Sequence, residues 1–385
     1  MKSFQIYYTV KSLPKAWNSI VEHDVFLQTS YLKALEAAAP KNIEFFYVGV
    51  FKNDVLVGIA IIQRVQLYLK DMFRTIKGSC IKELFRNVVS KILKGNILVA
   101  GNLTHTGQHS LFFQEENIAQ HEYLNLVFEA LETIKSNIKA TQNKTIRAIM
   151  FKDYFEEDTI HLEHNFFKIN KLHKVTVQPN MIMPINEKWA TMNNYISALN
   201  KKYKSRYKRA KTKLGSIICE ELSLESIQQN SKKLHQLYLN VSNNAKFNTF
   251  LLPENHFYSL KKHLTNNFKV FGYYLNDELV GFFTLILNAT TLETYFLGYD
   301  SKHQYNNQLY LNMLYDMAKF AIENSFKSVV YARTAMEIKS SVGAKAKTMQ
   351  VYIKHTNSFI NALLKPIFSL MNPKQNWEER HPFKA

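Results

Sequence analysis

Two stretches of the chain gather side chains that handle protons and phosphates. In YFLGYDSKHQYNNQLY, Tyr299, Asp300 and His303 sit close together at the end of an apolar run. A carboxylate and an imidazole are the residue types that take a proton from a nucleophile, so either Asp300 or His303 is a candidate base. In VVYARTAMEIKSSVGAKAK, Lys339 is the candidate acid: a desolvated lysine donates a proton or holds a phosphate or carboxylate. A third stretch, GNLTHTGQHS, combines Gly101 and Gly107 with the donors Asn102, Thr106 and His109. No HExxH, CxxC, GxSxG or Walker loop is present, and the histidines are scattered, so no metal site is expected.

The elements that must position these residues come in two copies. YVGVFKNDVLVGIAII at 47–62 returns as VFGYYLNDELVGFFTL at 270–285. Gly49, Asn53, Asp54, Leu56, Val57 and Gly58 recur as Gly272, Asn276, Asp277, Leu279, Val280 and Gly281. An Asn-Asp turn between β-branched and aromatic runs predicts a β-hairpin, and its repetition predicts a duplicated domain. Each hairpin is followed by a strand (96–100; 291–299), a loop (101–110; 300–308), a helix (about 117–139; about 309–324) and a further strand (145–154; 328–334). Helices at about 14–22, 24–40 and, broken near Pro253, 224–265 precede the hairpins, and a final strand is expected near 173–185 and at 348–354. Tyr310, Met313, Leu314, Met317 and Ala321 form an apolar stripe that reads as core. The first copy is longer by about 26 residues within 64–96, a basic stretch whose apolar positions share one helical face. That face suits either a membrane surface or its own domain.

A chain of 385 residues, 46% apolar, is long enough for two cores. Its net charge of +18 implies an acidic partner such as nucleotide phosphate, an acyl carrier protein, anionic lipid or RNA, unless lysine is simply the default surface residue. Two distant cysteines, Cys80 and Cys219, argue against a disulfide framework. With no signal-like N-terminus and no long apolar run, the expectation is a cytoplasmic protein, peripheral to the membrane if the insert docks there.

The order helices, hairpin, strand, loop, helix, strand, helix, strand resembles the GNAT acyltransferase fold. The duplication and the basic stretch LNKKYKSRYKRAKTKLGS at 199–216 resemble the Fem-type, peptidoglycan-biosynthesis branch. The resemblance implies an α/β fold of two tandem GNAT-like domains, 1–186 and 187–385, each a mixed, mostly antiparallel sheet flanked by helices, with the active site in the second. It implies an N-acyltransferase that moves an acyl group from an acyl-CoA or acyl-carrier-protein thioester onto an amine or lipid-precursor acceptor, without a metal. The loop after the central strand would hold the cofactor: Gly101, Asn102, Thr106, Gly107 and His109 in the first copy, and Asn306, Asn307, Tyr310 and Arg333 in the second, whose loop lacks glycine. Lys339 stands where GNAT enzymes often carry the tyrosine that protonates the leaving thiolate, and Tyr299 would help position the acceptor. Two alternatives remain: an aminoacyl-tRNA-dependent Fem-type transferase, and a non-catalytic GNAT pair that binds nucleic acid or membrane.

Overall fold

The computed structural model describes residues 1–67, 95–244, 248–371 and 377–384, with 365–371 as backbone only. The first half runs β1 (Lys2–Tyr7), α1 (Trp17–Ile20), α2 (Thr29–Ala37), β2 (Ile43–Lys52), β3 (Val55–Leu67), β4 (Gly95–Ala100), β5 (Leu111–Phe113), α3 (Gln120–Gln142), β6 (Ile146–Phe155), α4 (His164–Ile169) and β7 (His173–Pro184). The second runs α5 (Met192–Ala198), α6 (Lys201–Leu214), β8 (Ile218–Glu221), α7 (Leu224–Gln229), α8 (Ser231–Ser242), α9 (His256–Leu264), β9 (Phe268–Leu275), β10 (Glu278–Asn288) and β11 (Thr291–Tyr299). It ends with α10 (Ser301–Asn306), α11 (Leu309–Glu323), β12 (Ser328–Val330), α12 (Met336–Ser340), β13 (Lys345–His355) and α13 (Ser358–Met371). The expected basic amphipathic helix within 64–96 lies outside the described residues.

The duplicated hairpins agree down to their backbone angles. Asn53 and Asp54 have φ of 49° and 63°, and so do Asn276 and Asp277. Both central residues are left-handed, as a two-residue turn requires if its twist is to match the strands. Each hairpin also uses one glycine to let a helix approach. A Cβ on Gly58 would meet the Tyr123 ring at 2.8 Å, and one on Gly281 would meet Met313 Cε at 2.8 Å. These contacts seat α3 in one half and α11 in the other, through stripes that include Tyr123, Val127, Leu131 and Ile134, and Leu309, Met313, Met317 and Ala321.

The chain forms two compact units, and neither is one continuous segment. The first comprises Met1–Val177, Lys246–Leu251 and Thr348–Lys374; the second comprises Gln178–Ala245, Leu252–Lys347 and Gln375–Ala385. The expected single cut between 186 and 187 therefore gives way to an exchange. The strand order of the first unit is β1-β2-β3-β4-β6-β13, so its last strand arrives from the end of the chain. That of the second is β7-β12-β11-β10-β9-β8, with Ile182–Pro184 of β7 antiparallel to β12. Both sheets are mixed: β4 with β6 and β11 with β12 are parallel, and the other pairs described within each unit are antiparallel.

Candidate functional site

The site is built on β11. In the second unit this strand is parallel to β12 only through Thr291–Ser328, Leu292–Val329 and Glu293–Val330. Beyond Val330 the chain leaves strand geometry, with φ of 57° at Ala332, 66° at Thr334 and 47° at Ala335. The expected strand SVVYART thus stops after its third residue, because no parallel strand continues through such angles. β11 runs on through Tyr299, paired to β10 alone. Between Thr294 and Tyr299 the two parallel strands have parted.

A bulge marks the parting. Leu285 pairs with Thr294 and Phe283 with Leu297, so Thr284 stands opposite two residues, Tyr295 and Phe296. The Thr284 hydroxyl donates to the Phe296 carbonyl at 2.7 Å and accepts from its N–H at 3.0 Å. After the bulge the ladder resumes, and the Asp300 N–H donates to the Val280 carbonyl at 2.8 Å. By antiparallel alternation, the backbone groups of Leu297 and Tyr299 then point away from β10, to the side that β12 has left. Asn240 of α8 donates to the Tyr299 carbonyl at 3.3 Å. Gly298 lets α8 lie this close: a Cβ there would sit 2.4 Å from the Leu237 carbonyl carbon.

Tyrosines line this end of the strand. Tyr299 and Tyr310, the latter in the first turn of α11, pack at 6.2 Å between ring centroids. Burial first, and then Tyr299 beside it, pushes the Tyr310 hydroxyl well up. Burial, with Tyr310 and Tyr315 nearby, does the same to Tyr331, whose hydroxyl donates to the Leu314 carbonyl at 2.8 Å. These phenols stay protonated and act as donors across the physiological range.

Lys339 lies where β12 peels away. It is 5% exposed, and its Nζ donates to the carbonyls of Arg333 at 2.7 Å and Ala332 at 3.2 Å. Those carbonyls belong to the left-handed stretch, so the unusual backbone is what holds the ammonium. No acid reaches Lys339 among the described residues, and burial lowers its pKa to about 7 from 10.5. Two of its three protons are engaged and the third has no acceptor among the described residues. Arg333, expected to bind the cofactor, contributes its carbonyl here and has a half-buried side chain.

Asp300 has a structural part. Its carboxylate accepts the Lys302 N–H at 3.0 Å and caps α10, so the expected open loop is partly a helical turn. His303 fits the base role better. Asn307 donates its amide to the Lys213 carbonyl at 3.0 Å, which leaves its Oδ1 to accept from His303 Nδ1 at 2.9 Å. The proton is therefore on Nδ1 and the lone pair of the neutral ring is on Nε2. Asn306 is exposed on α10. Gln304 Oε1 accepts the Tyr310 N–H at 3.3 Å, so α10 covers part of the first turn of α11, where the cofactor was expected. The structure joins Tyr299 to Tyr310 and His303 to Asn307. It makes no hydrogen bond or ion pair between Lys339 and either Asp300 or His303.

The expected loop of the first unit is a correction. Residues 101–110 do not lead into a helix; they interrupt a strand. The Gly101 N–H donates to Ile61 at 3.1 Å, Ile61 donates back to Ser110 at 2.7 Å, and β5 resumes the pairing with β3 at Leu111–Ala60. The position equivalent to Tyr299 opposite Gly281 is Phe113 opposite Gly58, and that of Asp300 is Gln114, whose N–H donates to Val57 at 2.9 Å. The loop's own donors point inward. Asn102, 1% exposed, donates to the Tyr31 hydroxyl at 2.9 Å and accepts from Thr104 at 2.8 Å. Gly107 (φ 109°) donates to Asp153 at 3.1 Å, and His109 Nδ1 meets Asp24 at 2.7 Å. Thr106 is half-buried beside them. What the sequence offered as a cradle is packed against its own unit.

α6 carries the basic stretch. Ala210 and Tyr203 are buried, and the Ala210 and Lys213 carbonyls accept from Asn312 and Asn307. Lys211 pairs with Asp316 at 2.6 Å, while Lys201, Lys202, Lys208, Arg209 and Lys213 are exposed without an acidic partner among the described residues. No helix among the described residues is long and apolar enough to cross a membrane.

No protein-family model matches the chain, and no curated protein does. Solved structures do. The crystal structure of FemX is similar with a TM-score of 0.55 at 11% identity, over 95% of this chain and 100% of that one. A tandem GNAT protein from the clavulanic acid biosynthesis pathway is similar with a TM-score of 0.53 at 8% identity, over 93% and 99%. At such identities the likeness concerns the fold alone, and the chain has a tandem GNAT-like fold of mixed α/β architecture.

Proposed function

We propose that the second unit is an N-acyltransferase that moves an acyl group from a carrier thioester, acyl-CoA or acyl carrier protein, to an amine. The observation that carries this reading is the parting of β11 from β12 after Glu293, followed by a bulge that turns the Leu297 N–H to the side β12 has left, while Lys339 is buried against the carbonyls that follow β12. The acyl carbonyl accepts from that N–H, which stabilises the oxyanion as the amine nitrogen attacks the carbonyl carbon. His303 Nε2 takes the proton that the attacking nitrogen loses. The C–S bond breaks, and the Lys339 ammonium gives its third proton to the departing thiolate. A pKa of about 7 suits an acid working near neutral pH. Tyr299 and Tyr310 orient the acceptor.

The test is thiol release from a panel of acyl thioesters with and without amines. Release that depends on the amine, and falls at least about tenfold in Lys339→Ala, supports the reading. No amine-dependent release from any donor in the panel removes it.

One observation favours a second reading, transfer from an aminoacyl-tRNA. α10 covers part of the expected cofactor position, whereas α6 displays cations without an acidic partner among the described residues, which suit an extended polyanion. Filter binding of tRNA over a salt series separates the two: a steep loss of affinity with salt supports the tRNA donor, and no binding at low salt excludes it.

A further inference from the structure

Thr284 is a buried polar side chain that the proposed chemistry leaves unused. It is 0% exposed, in the middle of β10, and its hydroxyl spans both backbone groups of one residue, Phe296. An extra residue disrupts the ladder locally. Here a side chain bridges the disruption, accepting from the Phe296 N–H and donating to its C=O. Valine has the same shape and makes neither bond.

The position of the bulge decides what β11 presents. With it, Leu297 pairs with Phe283 and Gly298 with Phe282. Were the extra residue drawn out while Thr294 stayed opposite Leu285, Phe296 would face Phe283 and Leu297 would face Phe282. Every residue beyond the bulge would exchange faces. The Leu297 N–H would turn into the ladder with β10, and the Tyr299 side chain would leave the face it shares with Tyr310. A clash opposes the slip as well, since the strand passes α8 at Gly298, where a Cβ would lie 2.4 Å from Leu237. After a slip, Leu297 or Tyr299 would stand where only a glycine fits.

We propose that Thr284 is a positioning residue: its hydroxyl locks the register of β11 and so keeps the Leu297 N–H aimed into the opening left by β12. The catalytic consequence rests on the acyl-transfer reading; the structural one does not. Thr284 touches no substrate, and it acts through the strand that would.

The experiment compares wild type, Thr284→Val and Thr284→Ser by hydrogen exchange across residues 294–299 and by steady-state thiol release from the thioester found in the panel. In Thr284→Val, exchange of the Phe296 amide is expected to rise about tenfold or more, and kcat to fall about tenfold or more with the donor KM within about threefold. Thr284→Ser, which keeps the hydroxyl, is expected to stay within about threefold of wild type in both. Unchanged exchange in Thr284→Val overturns the lock. Raised exchange with unchanged kcat overturns its role in aiming the donor. Raised exchange in a chain whose wild type turns over no thioester sustains the lock and counts against the acyl-transfer reading instead.

Discussion

β4 of the first unit and β11 of the second follow the same hairpin and meet different ends. β4 is paired to β6 from Asn96 through its last residue, Ala100, and the chain then leaves the sheet for residues 101–110 before β5 resumes. β11 loses its parallel neighbour after Glu293 and continues, with one extra residue where the first unit has an excursion. A duplicated scaffold has closed one central strand and opened the other. In the closed copy the polar side chains are satisfied within their unit, Asn102 by Tyr31 and Thr104, Asp153 by Gly107 and Lys152, and His109 by Asp24; in the open copy the edge of β11 beyond Glu293 has lost its parallel neighbour. The lesson is that a donor-rich loop and an open strand edge need not coincide: the donors of residues 101–110 belong to the copy whose strand is closed.

The largest expected effect tests the closed copy. Asp153 is 0% exposed, accepts the Gly107 N–H and pairs with Lys152. Asp153→Asn leaves the buried ammonium without its carboxylate and should cost about 3 kcal/mol in chemical denaturation. Turnover per folded molecule should stay within about twofold, because the first unit is a scaffold in this account; a selective loss of turnover would instead make it part of the active machinery.

Next in size is Lys339→Met, expected to lower turnover about a hundredfold, or about 2.7 kcal/mol of transition-state stabilisation. Its stability profile sharpens the comparison. The folded pKa of about 7 lies below the ordinary 10.5, so the unfolded chain binds an extra proton between those values. The cost of burying the ammonium is present in full below pH 7 and vanishes as pH rises toward 10.5. Wild type should therefore gain stability relative to Lys339→Met across that window, and a flat difference would mean that the lysine is not desolvated. In turnover, an alkaline limb near pH 7 should mark loss of the acid's proton.

His303→Ala should lower turnover about tenfold, with Asn307→Leu, which frees the tautomer, falling between the two. The smallest effect belongs to α6. Replacing exposed Lys201, Lys208 and Lys213 with Gln should leave turnover of a small thioester within about twofold. It should flatten the salt dependence if the donor is carried on a polyanion.

Much of this was legible in the residues. The Asn-Asp turns and their glycines specify both hairpins, and the spacing of Tyr310, Met313 and Met317 specifies the helix behind the second. The identity of Lys339 pointed to proton transfer, but its burial and its two carbonyl partners depend on left-handed angles at Ala332 and Thr334, which residue type does not reveal. That Asp300 caps a helix was not legible, because capping and proton transfer draw on the same side chain. Gly101 and Gly107 looked like a cradle because spacing alone cannot say whether a loop follows a strand or interrupts it. The exchange of β7 and β13 between units left no local signal either, since a strand reads the same whichever sheet it joins. Thr284 alone carried a hint: a threonine inside FFTLIL is the one hydroxyl in an otherwise apolar run, and a buried hydroxyl needs partners.

The most direct test is hydrogen exchange of the wild-type chain with and without a non-hydrolysable acyl-thioester analogue. The account predicts slower exchange at residues 294–299 and 331–335 and no change at 101–110. Protection confined to 101–110, with none along β11, would contradict it.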